Sequence, residues 1–396
     1  MRYFGKSWFI AISFFILIKP GCISGMAVLA PLDTLLNLLR ILLVLYALIV
    51  FAKNMLVLQK NRLLGVFLLI LMSILWEPIS TFLNGKSAAD IGALMNNLGI
   101  ALIAYMGLRV DYDSFIEGIA KITGAYVIIN CVTVILFPGG MYANEKYAQN
   151  FFLSYRTSWL VIYLLALTAV LLWNANVHSH SSKKWMLFVV LTAAVSMVMQ
   201  WTATGLFCFT LAGIILVFYS WRDKKPLRIS CIMLAEAAAF WLVVIARLMD
   251  MFSFLLVTIL KKDLTLTFRT RIWDNALKTI SEHLIIGVGR LDAAQMRAFL
   301  GFGASHPHNH YLYVTLCFGV VGLVLFLLTV YFANKGKVSN GRLQEGRIMM
   351  AAFIVLLSAG QVESFSATGG YIIPLYLIAA SIRCSIGMRK ETGGIQ

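Results

Sequence analysis

Residues 309–333 read NHYLYVTLCFGVVGLVLFLLTVYFA, a run without a Lys, Arg, Asp or Glu. A hydrocarbon core about 30 Å thick is crossed by about 20 apolar residues in a helix, so this stretch reads as a membrane span. Worked outward, the same ruler gives twelve segments: 7–30 (broken at Lys19-Pro20-Gly21), 34–52, 62–83, 91–108, 115–136, 156–176, 185–201, 203–220, 229–248, 309–333, 347–363 and 371–388. Two pairs share very short turns, so eleven is the alternative count. Across all 396 residues, 60% are hydrophobic, 13% are charged and mean hydropathy is +0.85. That excludes a water-soluble fold, because too few polar residues remain to coat such an apolar core. The expected fold class is an all-α polytopic membrane protein with about twelve transmembrane helices.

The 33 Lys and Arg against 17 Asp and Glu give a formal charge of +16, which on a soluble protein would suggest nucleic acid. Placement decides otherwise. With the N-terminus inside, one set of short loops collects nineteen basic residues, among them Lys53, Lys60, Lys183, Lys184, Arg222, Lys224, Arg228, Lys335, Arg389 and Lys390. The opposite set holds four: Lys19, Lys86, Lys146 and Arg156. The positive-inside rule then puts both termini in the cytoplasm, and nucleic acid drops out as a partner. Arg2 and Lys6 before an apolar run resemble a signal peptide, but Pro31 follows the small-residue-like end Val28-Leu29-Ala30, so the run reads as an uncleaved first span. Six widely spaced cysteines show neither a disulfide framework nor a zinc pattern.

The expected organisation is residues 1–248 as spans one to nine, 249–308 as one large extracytoplasmic loop carrying amphipathic helices, and 309–396 as the last three spans with a cytoplasmic tail. Within the spans, Arg40 and Glu77 both lie about 9 Å deep and could pair, either as a structural link or as a charged wall. Glu117 and Lys121 are spaced i, i+4, with Glu236 at similar depth; a structural trio and a proton relay use the same ingredients.

The loop carries the unusual chemistry. From Thr267 to Gly289 it reads TFRTRIWDNALKTISEHLIIGVG. Ile272, Ala276, Leu277, Ile280 and Leu284 recur at helical spacing and Gly287 ends the run, so an amphipathic helix is expected. Arg269 and Arg271 sit at its expected start, where unpaired N–H groups and the dipole's positive end would help two guanidiniums hold a phosphate. The bland alternative is contact with lipid headgroups or ion pairs with Asp263 and Asp274.

Next comes Ser305-His306-Pro307-His308-Asn309-His310-Tyr311-Leu312, with half the chain's six histidines. An imidazole with a reference pKa of about 6.5 can act as a general base on a hydroxyl. Zinc binding and an interfacial structural role are the alternatives. There is no GxSxG, Walker loop or HExxH.

The order R-x-x-x-W (Arg269, Trp273), Gly287-Val288-Gly289, H-N-x-x-L (His308, Asn309, Leu312) and G-x-x-G (Gly319, Gly322) resembles the O-antigen ligase and polymerase family, which includes capsular polysaccharide and exopolysaccharide polymerases. The resemblance covers about 55 residues, from 269 to 322. It implies a membrane glycosyltransferase with a GT-C-like fold, without cofactor or metal, acting on undecaprenyl-pyrophosphate-linked glycans at the outer face of the plasma membrane. Arg269 would steady the pyrophosphate, Trp273 and Asn309 match family positions, and His308 would deprotonate the acceptor hydroxyl. Arg271, His306, His310 and Tyr311 match no such role and stand as local substrate-binding candidates.

The chain departs from the family at the turn after the seventh span. Many members carry Ser-Arg there, whereas this one reads Gln200-Trp201-Thr202-Ala203-Thr204-Gly205, which makes Arg156 the candidate replacement contact. The favoured function is a repeat-unit polymerase whose donor and acceptor are both lipid-linked, with a chain-length regulator as a candidate partner. The alternatives are a ligase that passes finished glycan to another acceptor and a transporter of lipid-linked sugars. A transporter usually shows repeated halves, which the sequence lacks.

Overall fold

The computed structural model describes residues 2–54, 61–86, 90–144, 147–177, 179–222, 225–247, 265–365 and 370–384. Lys60, Lys146, Lys224, Asp263, Arg389 and Lys390 lie outside the described residues. In chain order the helices are α1 (Ser7–Leu17), α2 (Gly21–Gly25), α3 (Ala30–Lys53), α4 (Arg62–Leu83), α5 (Ile91–Val110), α6 (Tyr112–Leu136), α7 (Trp159–Val177), α8 (His180–Met199), α9 (Ala203–Arg222), α10 (Ile229–Phe240), α11 (Thr265–Glu282), α12 (Ala293–Leu300), α13 (His310–Asn334), α14 (Leu343–Gly360) and α15 (Ile373–Cys384).

Each of the twelve apolar segments has its helix. Among the described residues, nine helical stretches are long and apolar enough to cross a membrane, while Ala203–Tyr219, Ile229–Ile245 and Ile373–Cys384 come out shorter. The protein is an all-α polytopic membrane protein. Its first span is interrupted where Pro20 removes a backbone donor, dividing α1 from α2. Starts are set by side-chain caps: Asn61 accepts from Leu64 N (3.0 Å) and Asp90 from Ala93 N (3.1 Å). Asp292 and Gln295 close a capping box on α12.

α7 is buried along most of its length, whereas α3 turns Leu38, Leu42, Leu45 and Ile49 outward. An apolar face of that extent is stable against lipid, not water.

α13 is not continuous: Gly319 has φ 67° and ψ −170°, outside the helical region. The break frees backbone groups, and in an apolar medium each left unpaired costs several kcal/mol. The loop segment 284–290 satisfies them. Val288 N donates to Leu316 O (2.9 Å), Gly289 N to Cys317 O (2.8 Å), and Val320 N to Leu284 O (2.8 Å). α4 and the residues just past its end hold the segment from the other side: Ser80 Oγ donates to Ile286 O (2.6 Å), Asn84 Nδ2 to Gly287 O (3.0 Å) and Lys86 Nζ to Val288 O (2.7 Å). A Cβ on Gly287 would lie 2.5 Å from the Cys317 carbonyl, and one on Gly319 would collide with the Ile285 carbonyl. Backbone packs on backbone here, which only glycine permits.

This docking corrects the expected Arg40–Glu77 pair. Arg290 N donates to Thr81 Oγ1 (3.0 Å), one turn beyond Glu77, so the Arg290 guanidinium reaches Glu77 at 2.7 Å and Asp90 at 3.6 Å. Arg40 instead lies beside Gly92 at the start of α5. The second expected cluster also divides. Lys121 pairs with Glu117 at 2.5 Å and lies over the Trp173 ring, while Glu236 accepts from Ser358 Oγ (2.6 Å) and Gln361 Nε2 (3.1 Å) on the α14 side.

Candidate functional site

α11 begins no later than Thr265, a turn before the arginines, so its unpaired N–H groups are not beside Arg269 and Arg271 as the sequence suggested. Its buried face is Ile272, Trp273, Ala276 and Ile280, packed on Leu312, Leu316 and Cys317 of α13. Leu284, expected on that face, lies past the helix end and is exposed. Residues two apart on a helix point in nearly opposite directions. Arg269 accordingly turns toward the spans, while exposed Arg271 lies over the Phe302 ring, 5.8 Å from its centroid. The two arginines therefore do not form one fork. Asp274 pairs with Arg247.

Trp273 ties α11 to the histidine segment: its buried Nε1 donates to Pro307 O at 2.9 Å. Asn309 is fully buried and caps α13, its Oδ1 accepting from Leu312 N (3.0 Å) while Nδ2 donates to Gln361 O (3.0 Å). Its amide is thus engaged with the protein at both ends. The three histidines diverge because the helix starts at His310. The His306 and His308 rings lie 4.0 Å apart, with His308 N donating to His306 Nδ1 (3.4 Å) and His308 at φ 51°. His310 is buried between Phe326 and Phe365 and accepts from Phe365 N (3.4 Å) at Nδ1. Tyr311 Oη donates to Leu357 O (3.0 Å), inside the bundle.

Arg269 and Arg156 meet in one cavity of about 420 Å³. Its rim is the turn Trp201–Gly205, and Glu363 completes it. Arg156 Nη1 donates to Gln200 O (3.0 Å), so the guanidinium from the start of the sixth expected span reaches the turn where the family's Ser-Arg pair is missing. Thr204 Oγ1 donates to Glu363 Oε1 (3.4 Å). Burial lowers the Arg269 pKa, opposed by the nearby Glu363 carboxylate. Burial raises that of Glu363, opposed by Arg269 and the Thr204 hydrogen bond. Two guanidiniums against one carboxylate leave a positive pocket suited to a polyanion such as a pyrophosphate.

Glu363 escaped the sequence reading, which treated it as the end of a span. The run Gln361-Val362-Glu363-Ser364 was the available signal. Gln361 and Ser364 both bond to Asn309, so Glu363 belongs to a stretch stitched to the residue after His308.

These features define a polytopic helical membrane protein with a cationic pocket at one end of its spans, next to a histidine-bearing loop. Residues 188–327, from α8 through the break in α13, match the family model described as O-antigen ligase. No curated protein and no solved structure matches the chain.

Proposed function

We propose that the protein is a polysaccharide repeat-unit polymerase, transferring a glycan from undecaprenyl pyrophosphate to a sugar hydroxyl of another lipid-linked unit. The observation that carries this is the convergence of Arg156 and Arg269, from separate elements, on one pocket beside the segment bearing His308. The loop 249–308 is the active-site element, and the basic-residue bias puts it on the extracytoplasmic face of the inner membrane with both termini inside.

As the bond from the anomeric carbon to the phosphate oxygen breaks, charge grows on the leaving pyrophosphate. Fixed guanidiniums stabilise that charge more in the transition state than in the ground state. His308 takes the acceptor hydroxyl proton as the oxygen attacks, and the new glycosidic bond forms from the face opposite the leaving group. A single displacement inverts the anomeric centre.

In a deletion strain, lipid-linked single repeats should accumulate on the outer leaflet, and the His308→Ala chain should not restore polymer. Normal chain lengths from that variant would overturn the base assignment. The matched family's description favours a second reading, ligase; full-length lipid-linked polymer in the deletion strain would establish it instead.

A further inference from the structure

α8 ends in a turn that favours glycine. Trp201 N donates to Val198 O (3.1 Å) and Thr202 N to Met197 O (3.1 Å), the paired bonds of a Schellman cap, whose residue at the Trp201 position takes a left-handed backbone. Trp201 sits there at φ 45°, a conformation disfavoured for a bulky side chain. Core packing does not offset that strain, because the residue is 70% exposed. The indole instead lines the rim of the arginine pocket, one residue from the Gln200 carbonyl that accepts from Arg156 Nη1 (3.0 Å).

Resting on the glycosyl-transfer reading above, we propose that Trp201 is the platform for the first sugar of the donor. An uncharged pyranose, bonded directly to the pyrophosphate, lays its C–H face on the indole while its hydroxyls reach Glu363.

The pocket is divided as such a ligand is. Among the described residues its charged groups are Arg156, Arg269 and Glu363. The two guanidiniums suit phosphate oxygens. Glu363 does not, since a carboxylate repels a phosphate but accepts hydrogen bonds from sugar hydroxyls. It already accepts from Thr204 Oγ1 at Oε1 (3.4 Å), and a carboxylate has capacity for several donors. The face of an aromatic ring is the negative end of its quadrupole, so it attracts the weakly positive hydrogens on a pyranose face. The first sugar is covalently joined to the pyrophosphate, so its subsite must share a cavity with the arginines. Trp201 and Glu363 meet that demand, in a space of about 420 Å³ that falls in the range for a drug-sized ligand. Arg156 is steadied from its other side, 5.8 Å from the centroid of the Tyr155 ring, which itself stacks on Tyr147.

An exposed tryptophan at the end of a span can also sit among lipid headgroups, and that occupant predicts no difference between lipids with and without a sugar. The test uses the purified full-length protein in nanodiscs and measures Kd for two lipids: the lipid-linked repeat extracted from the deletion strain, and undecaprenyl pyrophosphate carrying no sugar. Trp201→Gly removes the ring and supplies the residue the turn favours, so the fold is kept. Its Kd for the sugar-bearing lipid should rise roughly tenfold and that for the bare lipid should stay within about twofold, with Trp201→Phe in between. An equal rise for both lipids would give the indole to the lipid or the turn and overturn the platform, as would an unchanged Kd for the sugar-bearing lipid. Arg269→Ala keeps the two readings apart, because it should weaken binding of both lipids. If it does so while Trp201→Gly binds as the parent does, only the platform falls. If Arg269→Ala binds both lipids as tightly as the parent, the pyrophosphate pocket falls and the platform with it.

Discussion

Replacing Gly319 by alanine isolates the contact on which the site's architecture rests. At φ 67° and ψ −170° the residue occupies a region of backbone space essentially reserved for glycine, and forcing a side chain into it costs about 1–3 kcal/mol. The added methyl would also meet the Ile285 carbonyl, so segment 284–289 must retreat from α13. That retreat breaks at least the Val288–Leu316 and Gly289–Cys317 backbone hydrogen bonds, each contributing about 1 kcal/mol net. The sum, roughly 3–5 kcal/mol, appears as easier local opening of the loop rather than as global unfolding. At 1.4 kcal/mol per factor of ten, the Val288 and Gly289 amides should exchange with deuterium roughly 100- to several thousand-fold faster. Hydrogen exchange on the nanodisc-embedded protein measures this peptide by peptide. Gly65→Ala is the control: a Cβ there meets nothing within 4 Å, so helical alanine should be neutral or stabilising by about 0.5–1 kcal/mol. Protection of Val288 and Gly289 at the original level in Gly319→Ala would refute the close backbone packing.

Arg269→Lys should raise the donor KM nearly as much as Arg269→Ala, because a point charge does not reproduce a planar fork; a fully active lysine variant would show that charge alone suffices. Trp273→Phe strands the buried Pro307 carbonyl, at a cost of about 1–3 kcal/mol, and should lower kcat about tenfold with donor KM little changed; unchanged kcat would detach the indole from histidine positioning. Glu363 has a folded-state pKa raised by burial above its 4.5 reference, so its contribution to stability is present below pH 4.5 and lost as pH rises through the folded value. Thermal unfolding of Glu363→Gln should therefore gain on the parent protein as pH increases across that window, and parallel curves from pH 4 upward would contradict the burial.

The spans are legible because hydropathy is a local property: a window of about 20 residues carries all the information needed. The break at Gly319 is not, because it depends on Gly287, far earlier in the chain, and on Ser80, Asn84 and Lys86, further away still. The Arg40–Glu77 expectation failed for the same reason. Depth placed two charges at one level, but only the docking of Arg290 on Thr81 decided the partner. Periodicity gave Ile272, Ala276 and Ile280 on the buried face of α11 but missed Trp273 and misplaced Leu284; it could have separated Arg269 from Arg271, since residues two apart never share a helix face. Arg156 was chosen for its place at the outer end of a span, and the fold brings it onto the Gln200 carbonyl. Glu363 was overlooked because hydropathy drew it into the end of a span; the polar run Gln361-Val362-Glu363-Ser364 was the signal against that reading.

The motif residues divide by what their polar atoms already do. The indole of Trp273 is committed to Pro307, both ends of the Asn309 amide are committed to Leu312 and Gln361, and Gly287 and Gly319 contribute only the absence of a side chain. Such groups hold a loop at a fixed depth. The break in α13 is stable only while segment 284–290 covers it, so the loop cannot leave without exposing unpaired backbone, and the histidine segment that follows is fixed at the head of the same helix. The polar groups that face a cavity are Arg156, Arg269 and Glu363 on one side of the Asn309 joint, and Arg290, Glu77, Asp90 and Asn96 on the other.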